Sequence, residues 1–269
     1  KNIPKTKIYK IIRKGEVRVN SSRIKPHYKL VLDDVIRIPP NLNSDKPIRK
    51  NIGDDVIKHH VSNILYEDSN YLIINKKTGI TVHGGTKNFI GLIDLVREKF
   101  GNHIDLCHRL DKNTTGCLVF AKNKKSVKHF NESLKNQAIT KTYSAILIGK
   151  LKKNINIEKP IYKDNPNKLK PSTSKIKIIK QLKNTTFVDI QIFTGRTHQI
   201  RIHTLTINHP VLFDNKYGDK EFNKSINSET IKNIALHSKS IVFKDMSSKT
   251  IKISAELPKS FNDLINELK

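Results

Sequence analysis

The spacing of apolar residues changes character twice along the chain. Near the start, Ile8, Ile11 and Ile12 share one helical face while Lys7, Lys10 and Arg13 occupy another. Gly15 is placed to end that helix. Val17 and Val19 then alternate as a strand, Asn20-Ser21-Ser22 makes a turn, and Val35, Ile36 and Ile38 form a second short strand before Pro39-Pro40. Residues 1–42 therefore read as a small unit that buries little by itself. Residues 43–60 mix Pro, Asn, Ser, Asp and Lys without periodicity and read as a linker.

From residue 61 to 269 the pattern is that of one larger domain, rich in strands. Residues 71–74 and 118–121 are short apolar runs. Tyr143, Ala145 and Leu147 alternate with Ser144, Ile146 and Ile148, which predicts a strand buried on both faces. Val188, Ile190 and Ile192 alternate with Asp189 and Gln191, the pattern of a half-buried strand. Val127, Phe130 and Leu134 are spaced for a helix. No βαβ regularity with a Gly-rich crossover appears, so the fold class is α+β with a mixed or antiparallel sheet. Residues 152–175 and 220–233 read as polar insertions.

Charge narrows the partner. The 269 residues include 51 Lys and Arg against 24 Asp and Glu, a net charge of +27. Such a surplus favours a polyanion, because each phosphate neutralised by Lys or Arg releases counterions. Nucleic acid is the first candidate. An anionic membrane surface is the weaker one, since no basic amphipathic helix with a large apolar face stands out. No apolar run is long enough to span a bilayer, and no signal stretch follows Lys1, so the expected location is the cytoplasm. Two cysteines, Cys107 and Cys117, make neither a disulfide framework nor a metal set. Only nine of the 51 basic residues are Arg. Three of them, Arg109, Arg196 and Arg201, fall in two short polar segments where a planar, permanently charged fork has a use that Lys cannot fill.

The first of those segments is Cys107-His108-Arg109-Leu110-Asp111-Lys112-Asn113-Thr114-Thr115-Gly116. It puts Asp111 at a strand-to-loop junction, where a carboxylate can reach a cleft from a fixed backbone. The equal alternative is that Asp111 caps the turn near Thr114. The second, Thr194-Gly195-Arg196-Thr197-His198-Gln199-Ile200-Arg201-Ile202-His203, follows a strand and turns at a glycine. Thr197 is a candidate N-cap there, and the helix start a candidate anion cradle. A third, Lys141-Thr142-Tyr143-Ser144-Ala145, sets a tyrosine in a buried strand. No Walker-type loop and no His-Glu-x-x-His pattern occurs, so nucleotide hydrolysis and zinc hydrolysis lack support. No metal site is expected.

In combination the three segments resemble the RluA/RluC/RluD class of RNA pseudouridine synthases. The first is similar to the His-Arg-Leu-Asp-x-x-Thr-Ser-Gly signature, with Thr115 replacing Ser. The second matches Gly-Arg-Thr-His-Gln-Ile-Arg throughout, and the third resembles the Lys-x-Tyr-x-Ala strand. Asn75-Lys76-Lys77-Thr78-Gly79 looks like the entry strand, with Lys77 where Pro is usual. His209-Pro210-Val211-Leu212 and Asp214 through Tyr217-Gly218-Asp219 match a further block. The N-terminal unit is similar to an S4-type RNA-binding module lacking its first helix, and its sequence is most like the RluC branch, which acts on large-subunit ribosomal RNA.

That resemblance implies a pseudouridine synthase catalytic domain with a mixed, largely antiparallel central sheet, preceded by a partial S4-like module. It makes Asp111 the essential catalytic carboxylate, with Arg201 as its partner and Tyr143 against the uracil. Arg109 and Arg196 would contact RNA, His108 would steady the loop or else contact a phosphate, Leu212 would floor the base pocket, and Lys7, Lys10 and Arg13 would dock RNA outside the active site. No cofactor or metal is implied. The expected partner is large-subunit ribosomal RNA and the expected state a monomer. The alternatives are a tRNA substrate, or a non-catalytic RNA-binding or ribosome-assembly factor.

Overall fold

The computed structural model describes residue 3 and residues 5–40, 52–84, 90–161, 169–226 and 233–269. They form two compact units, residues 1–52 and 53–269.

In the first unit, helix α1 (Lys5–Arg13) buries Ile11. Lys7, Lys10 and Arg13 are all exposed on it. Gly15 follows with φ +71°, a conformation that ends a helix without a Cβ penalty. Strand β1 (Arg18–Val19) pairs antiparallel with β2 (Ser22–Arg23) and with β3 (Ile36–Arg37). Asn20 and Ser21, at φ 49° and 67°, make the two-residue hairpin turn. The Asn20 side chain then ties in the third strand, its Oδ1 accepting from the Val35 N–H at 2.9 Å.

The second unit opens with a correction to the linker reading. Helix α2 (Asp54–Val61) occupies the later part of the stretch read as structureless, whereas residues 43–51 lie outside the described residues. Asp54 and Asp55 sit in its first turn and Lys58, His59 and His60 in its last, both favourable for the helix dipole. Val61 is its one buried residue, too little apolar content to show a helical period.

Strands β4 (Ile64–Glu67) and β5 (Tyr71–Lys76) precede helix α3 (Leu92–Phe100). Strands β6 (Asp105–Leu106) and β7 (Thr115–Ala121), helix α4 (Lys124–Lys135) and strand β8 (Thr140–Ile148) follow. Next come β9 (Ile155–Glu158), β10 (Thr173–Gln181), β11 (Thr185–Ile192) and helix α5 (Gln199–Thr206). Helix α6 (Lys220–Ser225), strands β12 (Leu236–Lys244) and β13 (Thr250–Ser254), and helix α7 (Lys259–Glu267) complete the chain.

The strands form one mixed sheet in the order β4-β5-β7-β12-β8-β11-β10-β9, with β13 on β12 and β6 on β7. Only β7 and β12 run parallel among the described pairings. β8 is buried on both faces and β11 on one, as their apolar patterns predict. The two polar insertions are not featureless. Residues 152–175 contain all of β9, which extends the sheet edge, and residues 220–233 contain α6.

Two apolar clusters hold the sheet. One gathers Tyr71, Val119, Phe130, Ile241 and Phe243. Phe243 meets both Tyr71 and Phe130 edge-on at 5.1 Å. Each such ring contributes about 1.5–3 kcal/mol by burial. The other joins Ile146 and Leu212 to Phe261 and Leu264 of α7. Cys107 and Cys117 are free and buried. Among the described residues no helix is long and apolar enough to cross a membrane.

Candidate active site

The loop carrying Asp111 leaves the sheet at β6 and returns on β7, which pair with each other antiparallel. Both ends are therefore fixed. Inside it, the His108 Nε2 accepts from the Val119 N–H at 3.2 Å, and the His108 ring stacks on Phe130. Burial, with the Lys141 charge, pushes His108 down to about 3, so it stays neutral and acts as a strut. The turn at Asp111 uses its backbone: its carbonyl accepts from the Thr114 N–H at 3.2 Å. The carboxylate is thereby free of the capping duty open to it on sequence grounds.

Lys76 holds this loop from behind. It is fully buried at the end of β5, and its Nζ donates to the carbonyls of Lys112, Thr114 and Lys77 at 2.8, 2.9 and 3.0 Å. Three donors meet three acceptors. Burial pushes this amine down to about 7, against the pull of the Asp111 charge. Just beyond the loop, Gly116 has φ +103°, and a Cβ there would stand 2.2 Å from the Ser238 carbonyl oxygen. Glycine is what lets β7 lie against β12.

Arg201, on α5, faces the loop. Its Nη1 donates to Asp111 Oδ2 at 2.8 Å. Its Nε and Nη2 grip Asp214 Oδ2 and Oδ1 at 2.7 and 2.8 Å, a bidentate pair. The Asp214 side chain has no exposure. Burial raises its carboxyl, but Arg201 and the N–H groups of Tyr217 and Lys216 outweigh that and hold it below its usual value. The Tyr217 ring lies 5.0 Å from the Arg201 guanidinium carbon, and its hydroxyl is 3.0 Å from His198 Nδ1. His198 Nε2 approaches the second Asp111 oxygen at 3.7 Å. The Asp111 side chain itself keeps 33% exposure, so one carboxylate is both clamped and reachable.

Tyr143 is buried on β8, its hydroxyl raised well above the ordinary tyrosine value by burial, with Ser238 pulling it back. The Asp111 charge raises it further. It is a phenol at neutral pH.

Other expectations are displaced. Thr197 does not cap α5: the cap position is His198, at φ 55°, with no side-chain cap bond. The Arg196 N–H is already taken by Gln199 Oε1 at 3.1 Å, which also accepts from Thr194 Oγ1 at 2.7 Å. The helix start is thus closed by its own glutamine rather than open as an anion cradle. The Arg196 guanidinium donates through Nε to the Pro171 carbonyl, apart from the Asp111 pair. Leu212 is fully buried in the cluster with α7, with no surface to offer a base. Arg109 is exposed. Lys76, His198, Asp214 and Tyr217 are the residues that sequence reasoning left without a role. Among the described residues no cluster of three or more His, Cys, Asp or Glu could hold a metal.

Comparison with known proteins identifies the family. The profile of the RNA pseudouridylate synthase family matches residues 70–206. A relative named ribosomal large subunit pseudouridine synthase C, from Haemophilus influenzae, is 36% identical over 286 residues, spanning all of this chain and 88% of its own. The protein of the same name from Buchnera aphidicola subsp. Schizaphis graminum is 38% identical over 289 residues, spanning all of this chain and 90% of its own. The structure of human RNA pseudouridylate synthase domain containing 4 shares the fold, with TM-score 0.65 and 23% identity over 80% of this chain and 96% of that one. The chain belongs to the RNA pseudouridylate synthase family. It is an enzyme of the isomerase class that makes pseudouridine in RNA.

Proposed function

We propose that this enzyme isomerises specific uridines of large-subunit ribosomal RNA and that Asp111 is its catalytic carboxylate. The substrate is inferred from the relatives that span the whole chain and carry that substrate in their names. The observation that carries the catalytic assignment is the Asp111–Arg201 contact at 2.8 Å, made by a carboxylate that remains one-third exposed.

The reaction cuts the N1–C1′ bond of uridine, turns the uracil and rejoins it through C5. No atom is gained or lost. Asp111 acts either by covalent attack or by taking a ribose proton, and both routes need it ionised. Arg201 orients it, its Nη1 donating to Asp111 Oδ2 at 2.8 Å. A uridine in folded RNA has to be flipped out to reach it. Exposed Arg109, two residues before Asp111, either enters the vacated stack or holds the phosphate, and the Tyr143 ring packs against the uracil. Because its hydroxyl is protonated at neutral pH, Tyr143 serves the C5 deprotonation as a relay, not as a free base.

The N-terminal unit is assigned as an S4-like RNA-docking module, with exposed Lys7, Lys10 and Arg13 as its phosphate contacts. A cytoplasmic location follows from the substrate. Pseudouridines mapped on ribosomal and transfer RNA after incubation with the enzyme test the reading. New pseudouridine is expected in large-subunit RNA. Modification of transfer RNA alone, or of neither, overturns the substrate assignment.

A further inference from the structure

Among the described residues of this domain two lysines are buried, and they differ in one respect. Lys76 spends its three N–H donors on three carbonyls. Among the described residues Lys141, at 3% exposure, has a single side-chain hydrogen bond, to the Thr194 carbonyl at 3.2 Å. Among the described residues no carboxylate pairs with it, and its charged neighbour is another cation, Arg196. A buried cation with two unused donors and no counter-ion is costly unless something anionic joins it.

The way in is visible. The Lys141 ammonium lies 3.1 Å from where a Cβ on Gly195 would stand, and apart from Gly195 and its two chain neighbours no other atom of the described residues comes within 4 Å of that point. Gly195 itself is exposed. The missing side chain therefore leaves an opening above the ammonium, and the next residue in the chain is Arg196, whose guanidinium uses its Nε on the Pro171 carbonyl. Alternation along β8 puts Lys141 on the same face as Tyr143, about 7 Å away along the strand. Under the function proposed above, that is the face that receives the flipped base.

We propose that Lys141 and Arg196, reached through the gap at Gly195, bind a backbone phosphate of the RNA next to the target uridine. The site is separate from the Asp111–Arg201 pair, and it rests on the reading of the substrate as RNA. It explains why Gly195 is at the surface without a positive φ: the position needs space, not a left-handed backbone.

Lys141→Met removes the charge and keeps the bulk. Gly195→Ala keeps Lys141 but fills the opening, and the amine can yield the few tenths of an ångström required. Both variants and the wild type would be titrated with a large-subunit ribosomal RNA transcript between about 50 and 200 mM salt. Each variant is expected to lose roughly tenfold in affinity near 0.1 M salt, and its plot of log affinity against log salt to flatten by about one phosphate. The single-turnover rate at saturating RNA should fall far less than the affinity. If the Lys141→Met protein lost thermal stability yet kept the wild-type affinity and salt slope, Lys141 would be a structural pin and the proposal would be wrong. An unchanged slope in Gly195→Ala would also overturn it. A wild type that bound the transcript weakly and without salt dependence would instead defeat the RNA reading, which separates the two failures.

Discussion

Asp214 holds Arg201 by both oxygens, at 2.7 and 2.8 Å, and leaves the Nη1 of that guanidinium to Asp111. One arginine thus carries two carboxylates in different settings: Asp214, without exposure, fixes the fork, and Asp111 keeps 33% exposure. Asp214→Asn keeps the shape but loses the charge that anchors the fork. Breaking one partner of a buried pair costs about 3–5 kcal/mol. A lower denaturation midpoint is expected, with kcat falling at least tenfold because Arg201 is no longer oriented. Chemical denaturation and steady-state rates on the same preparation check both.

Lys76 makes stability depend on pH. The unfolded chain keeps this proton up to the ordinary lysine value of 10.5, whereas the folded protein releases it near 7. Unfolding between those values takes up a proton, so the wild type gains stability relative to Lys76→Met as pH rises from about 7 to about 10.5. Below pH 7 the cost of the buried ammonium is fully present and the difference between the two proteins is flat. Urea melts of both proteins across that range test this; a difference independent of pH throughout contradicts it.

The part of the site legible in sequence was the part concentrated in short runs of unusual residues. Asp111 and Arg201, which the structure brings together, stand in two such runs, and Arg is rare enough here that its positions carry information. Lys76 is one lysine among many, and only burial and three carbonyls distinguish it. Asp214 stands in the block that matches the family beyond His209, but nothing local says that its side chain is sealed from water behind an arginine. Leu212 failed for the converse reason: an apolar residue near a site can line it or support it from within, and periodicity does not choose. Strand β9 went unread because only Ile155 and Ile157 alternate in it, too short a period to stand out from its polar flanks.

Tyr143→Phe separates the ring from the hydroxyl. The ring remains to pack on uracil, so KM should stay within about twofold, while loss of the proton relay lowers kcat by about a hundredfold. A Phe variant at full rate removes the hydroxyl from the mechanism.

Replacing Lys7, Lys10 and Arg13 together by Gln addresses the N-terminal unit. Each phosphate deprived of its cation lowers the salt slope by about one. The triple variant should therefore bind RNA with a slope shallower by about three, and with weaker affinity across sequences. Unchanged affinity, slope and site choice would show that this unit does not dock RNA.

The central claim is that the clamped carboxylate does the chemistry. Asp111→Asn keeps the side chain's size and a hydrogen-bond acceptor for Arg201 but removes the charge. Single-turnover conversion of a saturating large-subunit ribosomal RNA transcript is the direct measurement. The expected result is a loss of at least about a thousandfold in pseudouridine formation, with RNA affinity and its salt dependence retained. Pseudouridine formation by Asp111→Asn at a rate within tenfold of the wild type would contradict the account.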